Sequence, residues 1–301
     1  MRCLTAAIAV AVAGAALAAP AVKQPLAAPL VLTVHTLNHG AYWVEGGSSN
    51  TAFLIGANGV VILDAQKSTE DAAKELLEIR KLTPKPVDAI IITHSDPGNV
   101  GGLPAYPPGI PIIAQENVRS TIQAVNAGTD EQYPAALLPL YRALVDFGPT
   151  RTVGGTETLV LDGFKMILIH VAPAHTSGDL AVYLPAQRLV IAGDIINTNV
   201  GPYPIIHRSG SSIGWIVTMQ ALLALDADTY IPGHGPIESK PLLRARLQAA
   251  EQRREQIKTL VEEHKSLDEI KQALPEPTAD ARFATFAQTV YEELTRGYPR
   301  N

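Results

Sequence analysis

Apolar residues in the first part of the chain fall into short runs, separated by glycine, asparagine and serine. The runs cover 31–37, 41–45, 51–55 and 60–63. Short runs between turn residues are typical of β-strands. Ser68, with Asp71 three residues later, is a helix-start pattern and predicts a helix to about Leu82. A continuous apolar run at 87–92 follows, as in a strand that is buried on both faces.

The second half repeats this order and then changes character. Strands are predicted at 158–161, 165–171, 180–184 and 188–192, a helix at 213–225 and a short strand at 229–231. Beyond Pro236 the chain is helical: a charged helix at 240–264, a short helix opened by a capping box of Ser266 and Glu269, and an amphipathic helix at 279–296. The pattern predicts one α/β domain at 31–238 and a C-terminal helical extension at 239–301.

The N-terminal residues predict export. Residues 1–18 combine Arg2, an apolar run and the small-x-small triplet at 16–18, which is the pattern of a cleaved signal peptide. Residues 19–30 are rich in proline and alanine and read as a linker. We therefore expect a periplasmic or secreted protein without a membrane anchor. Its single cysteine, Cys3, would leave with the signal peptide, so neither a disulfide nor a thiolate metal ligand is expected.

Charge narrows the range of partners. The formal net charge is −5, and the basic residues form no stripe or block. Nucleic acids and anionic membranes are therefore poor candidates, and we expect a small-molecule substrate. The loops 39–50, 97–150 and 197–212 are expected to shape its pocket, and their few charges favour a ligand of modest size that is not strongly anionic. The sequence does not indicate an oligomeric state.

Ionisable residues lie where predicted strands end and tight turns begin. Strand-end loops are where an α/β scaffold holds functional side chains in place. Five such places occur in the sequence: Asp64; the segment from His94 to Gly102; the segment from Pro173 to Gly178, which contains His175; Gly193-Asp194; and Pro232-Gly233-His234-Gly235.

In their order and spacing, these motifs resemble the metallo-β-lactamase superfamily over roughly residues 31–238. The resemblance implies an αββα sandwich, in which two mixed β-sheets lie between helical layers. It also implies a metal site at the strand ends. Gly101-Gly102 fixes the register of the family's motif His-x-His-x-Asp-His, and His94 matches its first histidine. His175, Asp194 and His234 match the later metal ligands.

The chain departs from the family at three positions of that motif. Asp96 replaces the second histidine, Gly98 the aspartate and Asn99 the third histidine. The family's second metal position would keep only Asp194 and His234, because glycine has no side chain and an amide oxygen is a poor zinc ligand.

The first metal position keeps His94, Asp96 and His175, with an open fourth place, which is the arrangement of a catalytic zinc site. Two carboxylates, Asp96 and Asp194, balance one divalent ion. We therefore expect one metal, with zinc favoured and iron or manganese as alternatives.

The resemblance implies a hydrolase that uses a metal-bound water to attack an ester, lactone or amide-like small molecule. Asp194 and His234 are the catalytic candidates, and Asp64 and Asn99 are expected to orient ligands. Asp96 is either a ligand or the cap of the helix that follows. His207 is a further candidate for binding or proton transfer, without a motif to support it. Two alternatives stay open: a catalytically silent binding protein on the same fold and a non-haem iron redox enzyme.

Overall fold

The computed structural model describes residues 31–130, 133, 135–207, 209–276 and 283–297. The predicted signal peptide and linker lie outside the described residues. Within this part of the chain, no helix combines the length and the apolarity needed to cross a membrane.

Two mixed sheets form the centre of the domain. The first has seven strands in sequence order, antiparallel from β1 to β4 and parallel from β4 to β7. Its strands are β1 (Leu32–Thr36), β2 (Ala41–Gly46), β3 (Thr51–Ile55), β4 (Val60–Leu63), β5 (Val87–Ile92), β6 (Ile112–Gln115) and β7 (Arg151–Val153).

The second sheet has five strands in the order β12-β11-β10-β9-β8, and only its β11–β12 pair is parallel. These strands are β8 (Glu157–Leu161), β9 (Phe164–Ile169), β10 (Ala181–Leu184), β11 (Leu189–Ile191) and β12 (Thr229–Ile231).

Helices occupy the connections and the C-terminal region. Ser68, Ser211, Ser239 and Thr285 each accept a backbone N–H of the first turn of the helix that follows, which fixes where that helix begins. The helices are α1 (Thr69–Leu82), α2 (Pro97–Val100), α3 (Glu116–Ala127), α4 (Leu138–Ala143), α5 (Ser212–Ala224), α6 (Lys240–Glu262), α7 (Leu267–Ala273) and α8 (Phe286–Arg296).

Alternation along the central strands builds three apolar layers. In β5, Ile91 faces the second sheet, whereas Ile90 and Ile92 face α1 and α3. This follows from the two-residue period of a strand. A third cluster, which includes Trp215, joins the outer face of the second sheet to α5, α6 and α8. The layers run helix, sheet, sheet, helix, which confirms the predicted αββα sandwich.

Two details of the sequence prediction are wrong. The stretch 97–150, treated as a loop, contains α2, β6, α3 and α4. The face of α3 shows the spacing of Val118, Ile122 and Val125, all buried, and Gly128 ends the helix with a left-handed φ of 69°. The last helix begins at Phe286 rather than 279, because Thr285 caps it. Residues 279–282 lie outside the described residues.

Candidate metal centre

Four strand ends from the two sheets meet at one edge of the sandwich. His94 and Asp96 follow β5, and His175 lies in the turn after β9. Asp194 lies in a single 3-10 turn, Gly193–Ile195, directly after β11. His234 follows β12. The fold therefore brings together the five residues that the sequence proposed as metal ligands.

Four of these side chains converge on one point. Each side chain offers one ligand atom, and the four atoms lie within 4.8 Å of one another; the residues are His94, Asp96, His175 and Asp194. Asp96 Oδ2 lies 3.7 Å from His94 Nε2 and 3.5 Å from His175 Nε2. Asp194 Oδ2 lies 3.7 Å from both histidine atoms. Ligands about 2.1 Å from a tetrahedral zinc ion are about 3.4 Å apart, so these distances fit one ion.

Hydrogen bonds on the far side of each ring leave its Nε2 for a metal. The Thr93 hydroxyl donates to Asp64 Oδ2, so it accepts from His94 Nδ1 at 3.0 Å. His175 Nδ1 donates to the carbonyl oxygen of Ile205 at 2.9 Å. Both Nε2 atoms are buried and have no hydrogen-bond partner among the described residues. Buried polar atoms without a partner are costly, and a bound cation would satisfy both.

The two carboxylates dominate the electrostatics. Burial alone would lower the pKa of His94, but Asp194 and Asp96 raise that pKa to about 10. Burial opposes ionisation of Asp194 as well, yet His234 and His94 hold its pKa well below the ordinary value. The same attraction that keeps protons on the histidines favours a divalent cation in their place.

Asp96 stands at the N-cap position of α2, but its side chain makes no capping hydrogen bond. Its Oδ1 accepts a hydrogen bond from the Tyr133 hydroxyl at 3.2 Å, and its Oδ2 faces the histidines. The geometry thus favours the ligand alternative over the cap alternative. Tyr133 was not among the sequence candidates.

Asp64 and Asn99 lie behind the cluster. Asp64 accepts hydrogen bonds from the Thr93 backbone N–H, the Thr93 hydroxyl and the Asn99 amide, at 2.7–2.9 Å. Burial raises the pKa of Asp64 to about 6, against the pull of His94 and these donors. Asn99 therefore turns its donor toward Asp64. The orienting role expected for both residues stays a prediction.

His234 lies at the open side of the centre. Its Nε2 is 3.1 Å from Asp194 Oδ2, and 31% of its side chain is exposed, compared with 1% for His94. Asn50 fixes the turn by donating to the carbonyl oxygens of Pro232 and Gly235. Gly233 is required there, since a Cβ would lie 1.9 Å from Asp194 Oδ1. His234 is thus bonded to a candidate ligand and reachable from outside.

His207 is the residue that the sequence analysis undervalued. Its Nε2 lies 3.4 Å from Asp96 Oδ2, and its ring centroid lies 4.4 Å from that of His175. Its backbone N–H donates to the carbonyl oxygen of His175. Burial lowers the pKa of His207 to about 4. The signal available in the sequence was a histidine in the irregular segment after Asp194.

Comparison with known proteins identifies a family and several relatives. The profile of the metallo-beta-lactamase superfamily matches residues 44–234. A 2,4-dinitroanisole O-demethylase subunit alpha from Nocardioides sp. is 31% identical over 199 residues, 65% of this chain and 55% of that protein. A linear primary-alkylsulfatase from Pseudomonas sp. is 27% identical over 212 residues, 59% of this chain and 39% of that protein. The chain thus spans about two fifths to just over half of these relatives.

Solved structures share the fold. A sec-alkylsulfatase, Pisa1 from Pseudomonas sp., superimposes with a TM-score of 0.71 and 16% identity, covering 90% of this chain and 51% of that one. A metallo-beta-lactamase from Pontibacter korlensis gives a TM-score of 0.60 at 19% identity, over 73% of this chain and 99% of that one.

Proposed function

We propose that this chain, which belongs to the metallo-β-lactamase superfamily, is a metal-dependent hydrolase of a small ester and works with one divalent ion. The observation that carries the proposal is the buried group of His94, Asp96, His175 and Asp194, whose facing atoms are spaced for a single ion.

The metal count follows from charge and from the ligands that are missing. Asp96 and Asp194 supply two negative charges, which balance one divalent ion. A second ion beside Asp194 and His234 would need further ligands, but position 98 is glycine and Asn99 donates to Asp64. A bound ion would supply Lewis acidity and lower the pKa of a coordinated water. Two histidines with carboxylates suit zinc, iron and manganese, and we favour zinc.

The residues around the centre divide the remaining work. His94 and His175 are held in one tautomer by Thr93 and Ile205, so their Nε2 lone pairs are oriented before substrate binds. Burial would lower the pKa of His234, whereas Asp194 raises it, which favours the protonated ring. In ester hydrolysis the water oxygen bonds to the acyl carbon and the ester C–O bond breaks. His234 then donates its proton to the departing oxygen, and the water proton restores it.

The names of the relatives support an ester or related C–O compound as substrate. One is an alkylsulfatase and another an O-demethylase, and neither name refers to a lactam. Because the chain spans only part of these proteins, their substrates are starting points for assays. We place carboxylic and sulfate esters first, then lactones and amides.

The test is hydrolysis by protein loaded with zinc, manganese or, anaerobically, Fe(II). Substrates are 4-nitrophenyl acetate, 4-nitrophenyl sulfate and a γ-lactone. We expect turnover that requires metal and falls about 10²–10⁴-fold in His234→Ala, the usual loss when an acid–base group is removed. His35→Ala, on edge strand β1, is the matched control. Absence of turnover with every metal and substrate would contradict the proposal and favour a silent binding protein. Oxygen consumption by the Fe(II) form would favour a redox enzyme.

A further inference from the structure

The C-terminal helices contact the segment 197–212, and this segment in turn contacts the metal centre. We propose that Phe283, which precedes α8, forms an apolar wall of the substrate pocket and binds the apolar group of the ester. The inference rests on the hydrolase proposed above. It adds a residue that determines specificity and that lies outside residues 44–234, the part matched by the family profile.

Segment 197–212 contacts the metal centre at two residues. Ile205 accepts the hydrogen bond that orients His175, and His207 lies against Asp96 and His175. One side of the pocket is therefore made by this segment. A shift of its backbone would move the carbonyl oxygen of Ile205, which accepts a hydrogen bond from the candidate ligand His175.

The same segment also contacts the C-terminal helices α6 and α8. Arg246 of α6 donates to the carbonyl oxygens of Val200 and Gly201, at 3.3 and 2.6 Å. Arg253 of α6 donates to the Tyr203 hydroxyl at 2.9 Å, and its guanidinium lies over the Tyr203 ring. The Tyr203 ring also stacks on that of Phe286 of α8, with the centroids 5.6 Å apart. These contacts fix the position of the segment from its outer side.

Phe283 lies against His207 of this segment. Its ring stacks on that of His207, with centroids 5.1 Å apart and planes 22° apart. Unlike Phe286, which is 2% exposed, Phe283 is only partly buried. Through His207 it lies next to Asp96, whose side chain is 15% exposed. The ring therefore lies outside the buried core cluster, beside the edge of the centre that Asp96 forms.

A partly exposed aromatic ring beside a polar centre favours a ligand with one polar and one apolar part. The polar end of such a ligand would lie at the metal group, and an apolar or aromatic substituent would lie against Phe283. Contacts between aromatic rings stabilise by about 0.5–1.5 kcal/mol beyond the burial of apolar area. We therefore expect discrimination of about tenfold in favour of a ligand that carries a ring.

Two carboxylates that differ by a phenyl ring test this wall without turnover. Calorimetric titration of the full chain, with and without zinc, compares phenylacetate with acetate. We expect wild type to bind phenylacetate about tenfold more tightly. Phe283→Ala should lose most of this difference while acetate binding stays unchanged, and Phe283→Leu should keep part of it. Leu242→Ala, an exposed apolar residue of α6, is the control.

Equal or undetectable binding of the two carboxylates by wild type would overturn the inference, as would unchanged discrimination in Phe283→Ala. The ratio of the two affinities decides the role of Phe283 whether or not the protein hydrolyses esters. If the ratio falls in Phe283→Ala but no ester is hydrolysed, only the proposed reaction fails.

Discussion

Asp64 and Thr93 are joined by two hydrogen bonds: the backbone N–H of Thr93 donates to Oδ1 at 2.8 Å, and its hydroxyl donates to Oδ2 at 2.7 Å. The second bond commits the hydroxyl proton, so the hydroxyl oxygen accepts from His94 Nδ1. Asp64 thereby sets the tautomer of a candidate ligand without touching the metal position.

Asp64→Ala should weaken metal binding about 10–100-fold, the usual effect of removing a group that orients a ligand. It should also lower the free energy of unfolding by about 2–4 kcal/mol, because buried donors of Thr93 and Asn99 lose their acceptor. Competition with a chelating dye measures the first effect and urea unfolding the second. Asp88→Ala, at an exposed position of β5, is the control. Unchanged metal affinity would show that Asp64 does not orient His94 through Thr93.

Tyr133 supports the candidate ligand that departs most from the family pattern. Its hydroxyl donates to Asp96 Oδ1. We expect Tyr133→Phe to weaken metal binding by up to tenfold, because Asp96 stays in place, and Asp96→Asn to weaken it much more. Isothermal titration with zinc compares the two variants, with Tyr42→Phe as control. If Asp96→Asn binds zinc as wild type does, Asp96 is not a ligand.

Glu75 gives the metal-free fold a pH dependence. It is buried and accepts hydrogen bonds from Thr51 and Gln66, and burial raises its pKa from 4.5 to about 7. The folded state therefore binds the proton more tightly than the unfolded state. This contribution is complete below pH 4.5 and is lost as the pH rises to about 7.

Glu75→Gln cannot ionise. At pH 8 its free energy of unfolding, measured with urea, should therefore exceed that of wild type by up to about 3 kcal/mol. At pH 4.5 the two free energies should be close. Glu78→Gln, which makes the same change at a partly exposed position of α1, is the matched control. A constant difference between Glu75→Gln and wild type from pH 4.5 to 8 would show that Glu75 does not titrate in this range.

Gly98 tests why one metal is expected. A Cβ there would lie 3.3 Å from Ser48 Oγ and 3.5 Å from Ser49 Oγ, so a side chain fits with a small adjustment. Gly98→Asp restores the carboxylate that the family carries at this position of the motif. We expect the variant to fold and its zinc content to rise from about one equivalent toward two. Circular dichroism and elemental analysis check this. A stoichiometry that stays at one would mean that the missing carboxylate does not limit metal number.

The sandwich and the ligand set were predicted from the resemblance of five ordered motifs to the metallo-β-lactamase superfamily. The five ligand candidates meet because each follows a strand, and strand ends are fixed by the sheet. The sequence could not predict the partners of Asp96. Tyr133 lies 37 residues away along the chain, in a stretch interpreted as loop, and only the packing of α3 and α4 brings it back. His207 was a candidate only because it follows Asp194 in an irregular segment. Its contact with Phe283 could not be predicted, because it joins two segments that follow no periodic pattern.

We propose that His94, Asp96, His175 and Asp194 form a single metal centre. Elemental analysis of protein purified from cells supplied with zinc, iron or manganese tests this most directly, beside His94→Ala prepared identically. We predict about one equivalent of one metal in wild type and a large loss in the variant. Less than about a tenth of an equivalent in wild type, unchanged by His94→Ala, would contradict it.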